Sequence, residues 1–416
     1  MSLDALRGFD MFWIISAESL VEALHHLTPN RAVGLVADQL EHVEWAGFHF
    51  EDLIFPLFVF IAGASLVFSL TKAIERAGRA AALSRLLSRG VLLFLVALFY
   101  SGGFTHDWPN IRLLGVLNRI ALAYTAAGLL FCFFKPRALA VICAGLLVGY
   151  WGIMRYVPIR DIQLTSENLA VLAEKAGDER AAKFYQNPKS PNPSTLRDRT
   201  VWNSAEKLFY ATTNQVTGRF EPGLNVSDHL DFQYLPGKKW DKFYDPEGYL
   251  STLGAVATCL LGVLAGYLLR SQGPAPLQKA GWLVAAGAVS VAAGWLWNLE
   301  FPVVKKIWTS SFVLVAGGYS AMLLGMFYAV VDVWQLRAWC QPFVWMGMNS
   351  ITIYLVNNIL GGFSGVAARF VGGDVKSMLD ARLGQGVGDL GVAIVEMVVA
   401  FWFVWYLHRR KVFIRL

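Results

Sequence analysis

Long apolar stretches recur along this chain, and each is long enough to cross the hydrocarbon core of a bilayer. A helical crossing takes about twenty mostly apolar residues. With 56% hydrophobic and 16% charged residues among 416, the chain is too apolar for an ordinary soluble protein. We therefore predict an all-α polytopic membrane protein of about ten transmembrane helices, near residues 6–24, 52–70, 86–104, 113–134, 137–157, 249–270, 280–298, 308–331, 342–361 and 388–407.

Positive charges in the short loops predict the orientation, because Lys and Arg near helix ends stay on the cytoplasmic side. The loop between the second and third spans and the basic tail fall on one side, and this side is richer in Lys and Arg than the other. Both termini are therefore expected in the cytoplasm. The first stretch contains Arg7, Asp10 and Glu18, so we expect it to be retained as a span and not cleaved as a signal peptide. The net charge of +6 then reflects topology and does not indicate nucleic-acid binding.

The longest polar stretch, residues 158–248, is rich in Pro, Asn, Gly and aromatic residues, which predicts a small ordered extracytoplasmic cap and not a flexible linker. It divides one integrated membrane domain into an N-terminal bundle, 1–157, with a catalytic segment at 25–52, and a C-terminal bundle, 249–416. The four cysteines lack metal-ligand spacing, so we expect apolar packing residues and no metal site.

Charged and amide side chains lie inside three of the predicted spans, where they are costly and usually face a protein interior or a wet cavity. At 100° per residue, one face of the first helix collects Asp4, Arg7, Asp10 and Glu18. Two later spans carry Asn118 with Arg119, and Asn349, Ser350, Tyr354 and Asn357. Three polar seams in one bundle predict a shared cavity. The alternative for the first seam is that Asp4, Arg7 and Asp10 simply pair with each other, and hydrogen bonds between helices also explain the last one. Arg119 can bind a ligand, snorkel, or pair with Glu18 or Asp52.

His42 stands just before the second span, in "LEHVEWAGFHFEDL", with Glu44, Glu51 and Asp52 near it. A histidine at this depth is often only an interfacial side chain. Histidine is nevertheless suited to proton transfer at neutral pH, and a neighbouring carboxylate can orient its ring. We predict that His42 carries the chemistry.

Several stretches together resemble the heparan-alpha-glucosaminide N-acetyltransferase family of transmembrane acyltransferases, in particular its bacterial members. They occur in family order from one terminus to the other: "SLDALRGFDM", "HVEWAGFHFEDLIFPLFVFIAGASL", "IRLLGVLNRIALAY", "YDPEG", "KKIWTSSFVLVAGGYSAMLL", "GMNSITIYLVNNIL" and "RRKVFIRL". The resemblance implies transfer of acetyl from cytoplasmic acetyl-CoA to a terminal glucosamine amine across the membrane. It also implies a bacterial inner-membrane location and a possible homodimer.

The family's catalytic histidine stands in a His-x-x-Trp arrangement, which corresponds here to His42 and Trp45. Where animal members carry an assisting asparagine, this chain has Glu18 in our placement. The predicted catalytic residues are thus His42 and Glu18. The residues predicted to bind acetyl-CoA, including its anionic groups and the reacting carbonyl, are Arg7, Asn118, Arg119, Asn349 and Ser350. Those predicted to bind the amino sugar are Trp45, Asp52 and Asn357.

Two mechanisms stay open at this point: His42 acts as a general base in direct transfer, or it carries the acetyl group itself. Asp245 and Glu247 of "YDPEG" either bind a cationic sugar or cap the sixth span. A solute transporter would also need charges inside the membrane, and an O-acyltransferase of an envelope glycan would share the donor. A purely structural scaffold gives no reason for three polar seams.

Overall fold

The computed structural model describes residues 1–27, 31–103, 105, 107–359 and 361–413. Its regular structure is helical except for a two-stranded antiparallel ribbon, β1 Ile159–Arg160 and β2 Gln215–Val216. The α-helices in chain order are α1 Ser2–Phe12, α2 Glu18–Leu27, α3 Arg31–Gln39, α4 Glu51–Tyr100, α5 Val116–Phe133, α6 Pro136–Tyr156, α7 Ser166–Lys175, α8 Glu179–Gln186, α9 Thr200–Ala211, α10 Val226–Tyr234, α11 Thr252–Arg270, α12 Pro276–Trp297, α13 Ser310–Phe327, α14 Gln341–Met348, α15 Ser350–Ile359, α16 Gly362–Val371, α17 Asp374–Leu383 and α18 Val387–Arg409.

Within the described residues, seven helices are long and apolar enough to cross a membrane, or eight if one bent pair counts as a span. The predicted fold class, an all-α polytopic membrane protein, is confirmed. The difference from about ten spans comes from three segments. One long helix contains two of the predicted spans, and two other predicted spans are interrupted.

The first of these segments is α4, which is two antiparallel arms and not one rod. Gly78 has φ 80° and ψ 171°, a backbone conformation that only glycine adopts easily. Leu66 and Leu86, twenty residues apart, both lie against the position of Gly128 on α5. The chain therefore folds back at Gly78, and the two arms contain the predicted spans 52–70 and 86–104.

The second segment is the N-terminal one, where a π-helical turn, Trp13–Ala17, separates α1 from α2. A π turn contains more residues than an α turn and rotates everything that follows around the axis. The predicted face holding Asp4, Arg7 and Asp10 therefore does not extend by simple 100° steps to Glu18. The side chain of Glu18 lies outside the described part of the structure.

The third segment is the predicted span 342–361, which breaks between α14 and α15. Asn349, at the break, has φ −123° and ψ 26°. Beyond it, the helical segments Ser350–Asn357 and Gly362–Val371 meet at 62°. The polar side chains of this stretch consequently do not share one straight helical face.

α1 and α14 approach each other closely at two glycines. A Cβ added to Gly8 would lie 1.6 Å from the carbonyl oxygen of Phe343, and one on Gly347 would lie 1.8 Å from that of Asp4. These positions admit only hydrogen, so the two helices pack backbone to backbone.

We expect Gly8→Ala to lower the free energy of unfolding by about 2–3 kcal/mol, because the added methyl group must push α14 away from α1. Thermal unfolding of the purified protein in detergent measures the change. Gly145→Ala on α6 is the matched control, since a Cβ there meets nothing within 4 Å. An equal loss of stability in both variants would contradict the close helix approach.

The polar stretch between α6 and α11 folds on a hydrophobic core of its own, and we call residues 158–248 the cap. Its core contains Leu169, Trp202, Phe209, Phe232 and Phe243. Trp202 and Phe232 lie 4.9 Å apart between ring centroids, so the aromatic residues of this stretch pack together as expected of an ordered cap.

Candidate active site

The segment that carries His42 connects α3 to α4 without regular structure and is held from two sides. Gly47, at φ 133°, donates its backbone N–H to the carbonyl oxygen of Val303 at 2.9 Å. The indole N–H of Trp45 donates to the carbonyl oxygen of Phe220 in the cap at 2.8 Å. The segment is therefore fixed against both the loop before α13 and the cap.

His42 is paired with a buried carboxylate. Its Nδ1 lies 3.1 Å from Oδ1 of Asp52, which is 1% exposed. Because an ionised carboxylate only accepts hydrogen bonds, this contact places the ring proton on Nδ1 and leaves Nε2 with a free lone pair. The side chain of His42 is 59% exposed, so its free nitrogen is accessible from the cavity it lines.

Asp52 organises the site around it. It lies in the first turn of α4, where the helix dipole favours a negative charge. Its Oδ2 accepts the backbone N–H of His49 at 3.0 Å. Its Oδ1 also contacts the ammonium of Lys305 at 3.2 Å. One carboxylate thus holds a histidine from the segment before α4 and a lysine from the loop before α13.

Lys305 approaches the imidazole as well as the carboxylate. Its Nζ lies 3.1 Å from Nδ1 and 3.4 Å from Nε2 of His42. Burial lowers the pKa of the Lys305 ammonium, and the negative charge of Asp52 partly offsets this effect.

His42, Asp52 and Lys305 line a cavity of about 420 Å³, which we call the His42 cavity. Its walls are largely aromatic and aliphatic, with Phe55, Phe58, Trp308 and Tyr354 among them. The indole of Trp240, a cap residue that is 63% exposed, forms part of the opposite wall. A mostly apolar cleft with a few convergent polar groups is typical of a small-molecule site.

An arginine clamp joins the cap to this cavity. Arg112 donates to both carboxylate oxygens of Asp245, at 2.9 and 2.6 Å, and also pairs with Glu247. Burial lowers the pKa of the Arg112 guanidinium, but pairing with the two carboxylates outweighs it, and the net shift is upward. Both acids of "YDPEG" thus have a cationic partner within the protein, which neither sequence alternative included.

Arg119 is 1% exposed and is held by the start of α11, not by a carboxylate. Its Nη2 donates to the carbonyl oxygen of Pro246 and the hydroxyl of Ser251. The guanidinium lies 4.8 Å from the ring centroid of Trp308. These partners differ from the predicted pairing with Asp52, and the predicted pairing with Glu18 lies outside the described residues. Within the described structure, the Nε of Arg119 is buried without a hydrogen-bond partner.

A second cavity, of about 640 Å³, lies further along the same helices, and we call it the Arg7 cavity. Arg7 donates to Ser65 at 2.7 Å and pairs with Asp4 at 3.3 Å. Arg89 lines the same space. Along α4 the His42 cavity is lined by residues 51 to 58, and the Arg7 cavity by residues 58 to 69 and 89 to 93.

The two cavities share a wall. Phe58, Ile120, Ser350 and Ile351 line both of them. Asp52 and Ser65 are thirteen residues apart on one helical arm, which corresponds to roughly 20 Å along its axis. The cavities therefore follow one another through the bundle, with a mostly apolar partition between them.

The predicted site residues divide among these places. His42, Asp52 and Arg119 line the His42 cavity, Arg7 lines the other, and Ser350 lines both. Asn118 accepts from Gly115 N–H and donates to Phe94, and Asn357 accepts from Phe363 N–H at 2.9 Å. Asn349 is 1% exposed, and neither of its amide atoms has a hydrogen-bond partner among the residues that the structure describes. The asparagines and Trp45 are not among the residues that line the two cavities, and their roles in ligand binding stay predictions.

Lys305 and Arg112 are the functional candidates that the sequence did not single out. In the sequence, both are cations of short loops on the side of the membrane that is predicted to carry few positive charges. The available signal was their position: each immediately precedes a span on the same predicted side as His42. In the described part of the chain, no group of three or more His, Cys, Asp or Glu residues is arranged to hold a metal ion.

Asp231 lies at the joint between the cap and the bundle. Its Oδ1 accepts the backbone N–H of Tyr249 at 3.0 Å, and its Oδ2 is buried with no hydrogen-bond partner in the described part of the chain. A Cβ on Gly248 would lie 1.7 Å from that oxygen. Burial, with a contribution from Asp245, raises the pKa of Asp231 from 3.8 to about 7.

We expect this group to make the native protein less stable as pH rises from about 5 to 7. The folded state binds the Asp231 proton more tightly than the unfolded state, so its contribution is complete below pH 3.8 and is lost as pH rises through about 7. Because of this one group, the free energy of unfolding falls by at most about 1.4 kcal/mol per pH unit. Thermal unfolding from pH 5 to 8 measures it, and Asp231→Asn should flatten the profile. An unchanged profile in the variant would contradict the assignment.

Comparison with known proteins bears on this site. A family model described as heparan-alpha-glucosaminide N-acetyltransferase, catalytic, matches residues 1–171. Heparan-alpha-glucosaminide N-acetyltransferase of Mus musculus is 28% identical over 344 residues, and that of Homo sapiens is 27% identical over 340. This chain is thus similar in sequence to the heparan-alpha-glucosaminide N-acetyltransferases. The resemblance predicted from its sequence is confirmed.

Each alignment to these acetyltransferases covers 78% of this chain, and the chain spans about half the length of the two relatives. The matched region, 1–171, contains His42, Asp52, Arg112 and Arg119. Lys305 and the acids of "YDPEG" lie beyond it and reach the site through the tertiary structure.

Proposed function

We propose that this chain is a transmembrane N-acetyltransferase that moves acetyl from acetyl-CoA to the amino group of a glucosamine-type sugar. One observation carries the proposal: an oriented histidine lines a cavity that shares a wall with a second, arginine-lined cavity in the same helical bundle. The names of the relatives support the same chemistry.

In the proposed reaction His42 is the general base. The amine nitrogen attacks the thioester carbonyl carbon, and Nε2 of His42 removes the proton from that nitrogen as the C–N bond forms. The tetrahedral intermediate then expels the CoA thiolate by breaking the C–S bond, and His42 returns the proton to sulfur. Asp52 holds the Nδ1–H, so the neutral ring accepts at Nε2 before the transfer and again after the proton has passed to sulfur.

The paired cavities provide a path for the donor. Acetyl-CoA is anionic at its nucleotide end and apolar in its pantetheine arm. Arg7 and Arg89 line the cavity suited to the phosphates, and the apolar partition at Phe58 and Ile351 suits the arm. The thioester then reaches the His42 cavity through this partition.

The acceptor enters the His42 cavity from the cap side in this proposal. The exposed face of Trp240 offers an apolar platform for a sugar ring, and the wall at Glu247 offers a carboxylate near the amine. Binding of both substrates before transfer makes direct transfer the simpler route, since the reacting groups are held together.

We further propose the bacterial inner membrane as the location, with both termini in the cytoplasm and the His42 segment and cap in the periplasm. This orientation follows the excess of Lys and Arg in the loops on the side of the termini. It places the Arg7 cavity towards the compartment that contains acetyl-CoA. A homodimer belongs to the same proposal on family grounds alone.

Sealed liposomes with one known protein orientation test the function. Labelled acetyl-CoA is supplied on the face of the termini and glucosamine on the other. We expect labelled N-acetylglucosamine, whose amide survives mild base, and no label retained on the protein when the sugar is omitted. A base-labile product would indicate O-acylation, and retained label on His42 would indicate an acyl-enzyme. Solute uptake without any acetylated product would indicate a transporter.

A further inference from the structure

Lys305 is a cation in direct contact with the ring of His42, and the proton-transfer scheme gives it no role. Its ammonium lies within 3.4 Å of both ring nitrogens. Resting on the proposed acetyl transfer, we propose that Lys305 is a catalytic residue that donates a hydrogen bond to the carbonyl oxygen of the acetyl thioester as that oxygen becomes negative.

The donors on Lys305 are only partly used. An ammonium carries three N–H bonds and no acceptor. Asp52 takes one of them at 3.2 Å. Nδ1 of His42 is itself the donor to Asp52, so it cannot accept from Lys305 despite the short separation. Nε2 of His42, at 3.4 Å, can accept a second N–H, and the third N–H of the ammonium is then available to the cavity that Lys305 lines.

The position of Lys305 matches the path of the oxyanion. The attacking amine must lie within hydrogen-bond reach of Nε2 of His42, and the carbonyl oxygen is then two bonds from that amine nitrogen. Nζ of Lys305 lies 3.4 Å from Nε2, so a donor at this place can reach the oxygen while His42 holds the proton. Collapse of the intermediate returns the electron pair from oxygen to carbon and expels the thiolate.

Other polar groups of the site are less suited to this task. Asn118 and Asn357 use their side chains in contacts within and between helices. The guanidinium of Arg119 is fixed against Pro246, Ser251 and the ring of Trp308, with no contact to His42. Lys305 alone among these groups is in contact with both members of the His42–Asp52 pair.

The loop before α13 holds Lys305 in place beside His42. Trp308 has φ 49°, and its backbone N–H donates to the carbonyl oxygen of Lys305 at 2.9 Å, closing a tight turn. Val303, two residues before Lys305, accepts the N–H of Gly47 from the His42 segment. The lysine and the histidine are thus held by directly bonded backbones, which is the preorganisation that an oxyanion donor needs.

The test uses the full-length protein in detergent with acetyl-CoA and glucosamine. We expect Lys305→Met to lower kcat by about 100-fold or more, as the loss of an oxyanion donor does elsewhere. KM for acetyl-CoA should change less than threefold. Lys306→Met is the matched control: it removes the same charge from the same turn and from the lining of the same cavity, but the ammonium of Lys306 is paired with Asp241 of the cap at 2.9 Å instead of with Asp52. A loss caused only by the change in net charge would appear in both variants.

A second measurement separates an oxyanion donor from a residue that only supports Asp52. A trifluoromethyl-ketone analogue of acetyl-CoA adds water at its carbonyl, and transfer of one proton from this hydrate to His42 leaves a negative oxygen on a tetrahedral carbon. We expect Lys305→Met to weaken binding of this analogue at least tenfold and of acetyl-CoA less than threefold, because only the former resembles the transition state. Equal losses for the two ligands, or a kcat within threefold of the native value, would overturn the proposal.

If Lys305→Met does not fold, Lys305→Ala takes its place, since it has no donor and leaves room for water beside Asp52. For this variant, too, we expect the affinity for the analogue to fall at least tenfold and the affinity for acetyl-CoA to fall less than threefold. Failure of the proposed function is distinguishable, because the native protein would then form no N-acetylglucosamine. An active native protein with an unaffected Lys305 variant refutes only the role of the lysine.

Discussion

His42→Ala is expected to slow formation of N-acetylglucosamine by about 100- to 10,000-fold at saturating acetyl-CoA and glucosamine, the range that general bases contribute. The reason is that Nε2 of His42 is the free nitrogen of an imidazole whose Nδ1 is fixed by Asp52 at 3.1 Å. Affinity for acetyl-CoA should be nearly unchanged, because alanine removes the proton acceptor and leaves the cavity walls in place. Steady-state assays and equilibrium binding measure the two effects.

His49→Ala is the matched control for this variant. His49 belongs to the same segment, but its Nδ1 contacts the carbonyl oxygen of Glu41 at 2.9 Å in an exposed position. It does not line either of the two cavities in the described structure. Equal activities of the native protein and His42→Ala would refute the role of His42. The acetyltransferase reaction would then need a different general base.

Asp52→Asn is expected to produce a loss of similar size. A neutral amide can donate to the ring nitrogen that it faces, which favours the tautomer with its lone pair on the wrong nitrogen, and such an exchange costs a well-known triad about 10,000-fold. The amide also removes the charge that pairs with Lys305 at 3.2 Å. Its side chain can still accept the N–H of His49, so the first turn of α4 should survive. Turnover rates and thermal unfolding separate the two consequences.

Glu44→Gln provides the comparison, because it neutralises an exposed carboxylate two residues from His42 that does not line the cavity. We expect its rate to stay within about twofold of native. If the rate of Asp52→Asn also stayed within about twofold of the native rate, the orientation of His42 by Asp52 would not matter for catalysis. The base would then have to work in both tautomers.

The sequence predicted the helices well where one local property decides them. An apolar run of sufficient length forms a helix in a membrane because every backbone N–H and C=O must be paired within the segment. The arms of α4 and the helices α5, α6, α11, α12, α13 and α18 follow from that property alone. The π turn at Trp13–Ala17 and the break at Asn349 did not follow from it, because a change of helical register depends on what packs against the segment.

The candidate site shows the same division. His42 and Asp52 are ten residues apart, and a carboxylate at the start of a helix beside a preceding histidine can be recognised in a single stretch. Arg119 was recognised as costly in a membrane, but its partners near Pro246 are 127 residues away along the chain. Charge identifies a residue that needs a partner, and it does not identify that partner.

By itself, then, the sequence determined an all-α membrane bundle and a histidine ten residues before a carboxylate at the start of a long apolar helix, since hydrophobicity and short-range spacing are local quantities. The tertiary structure alone decided that Lys305, 263 residues from His42, completes the pair, and that Arg112 neutralises Asp245 and Glu247. It also decided that two cavities share the wall at Phe58 and Ile351. These features depend on contacts between distant segments, which form only when helices such as α1 and α14 pack at their glycines.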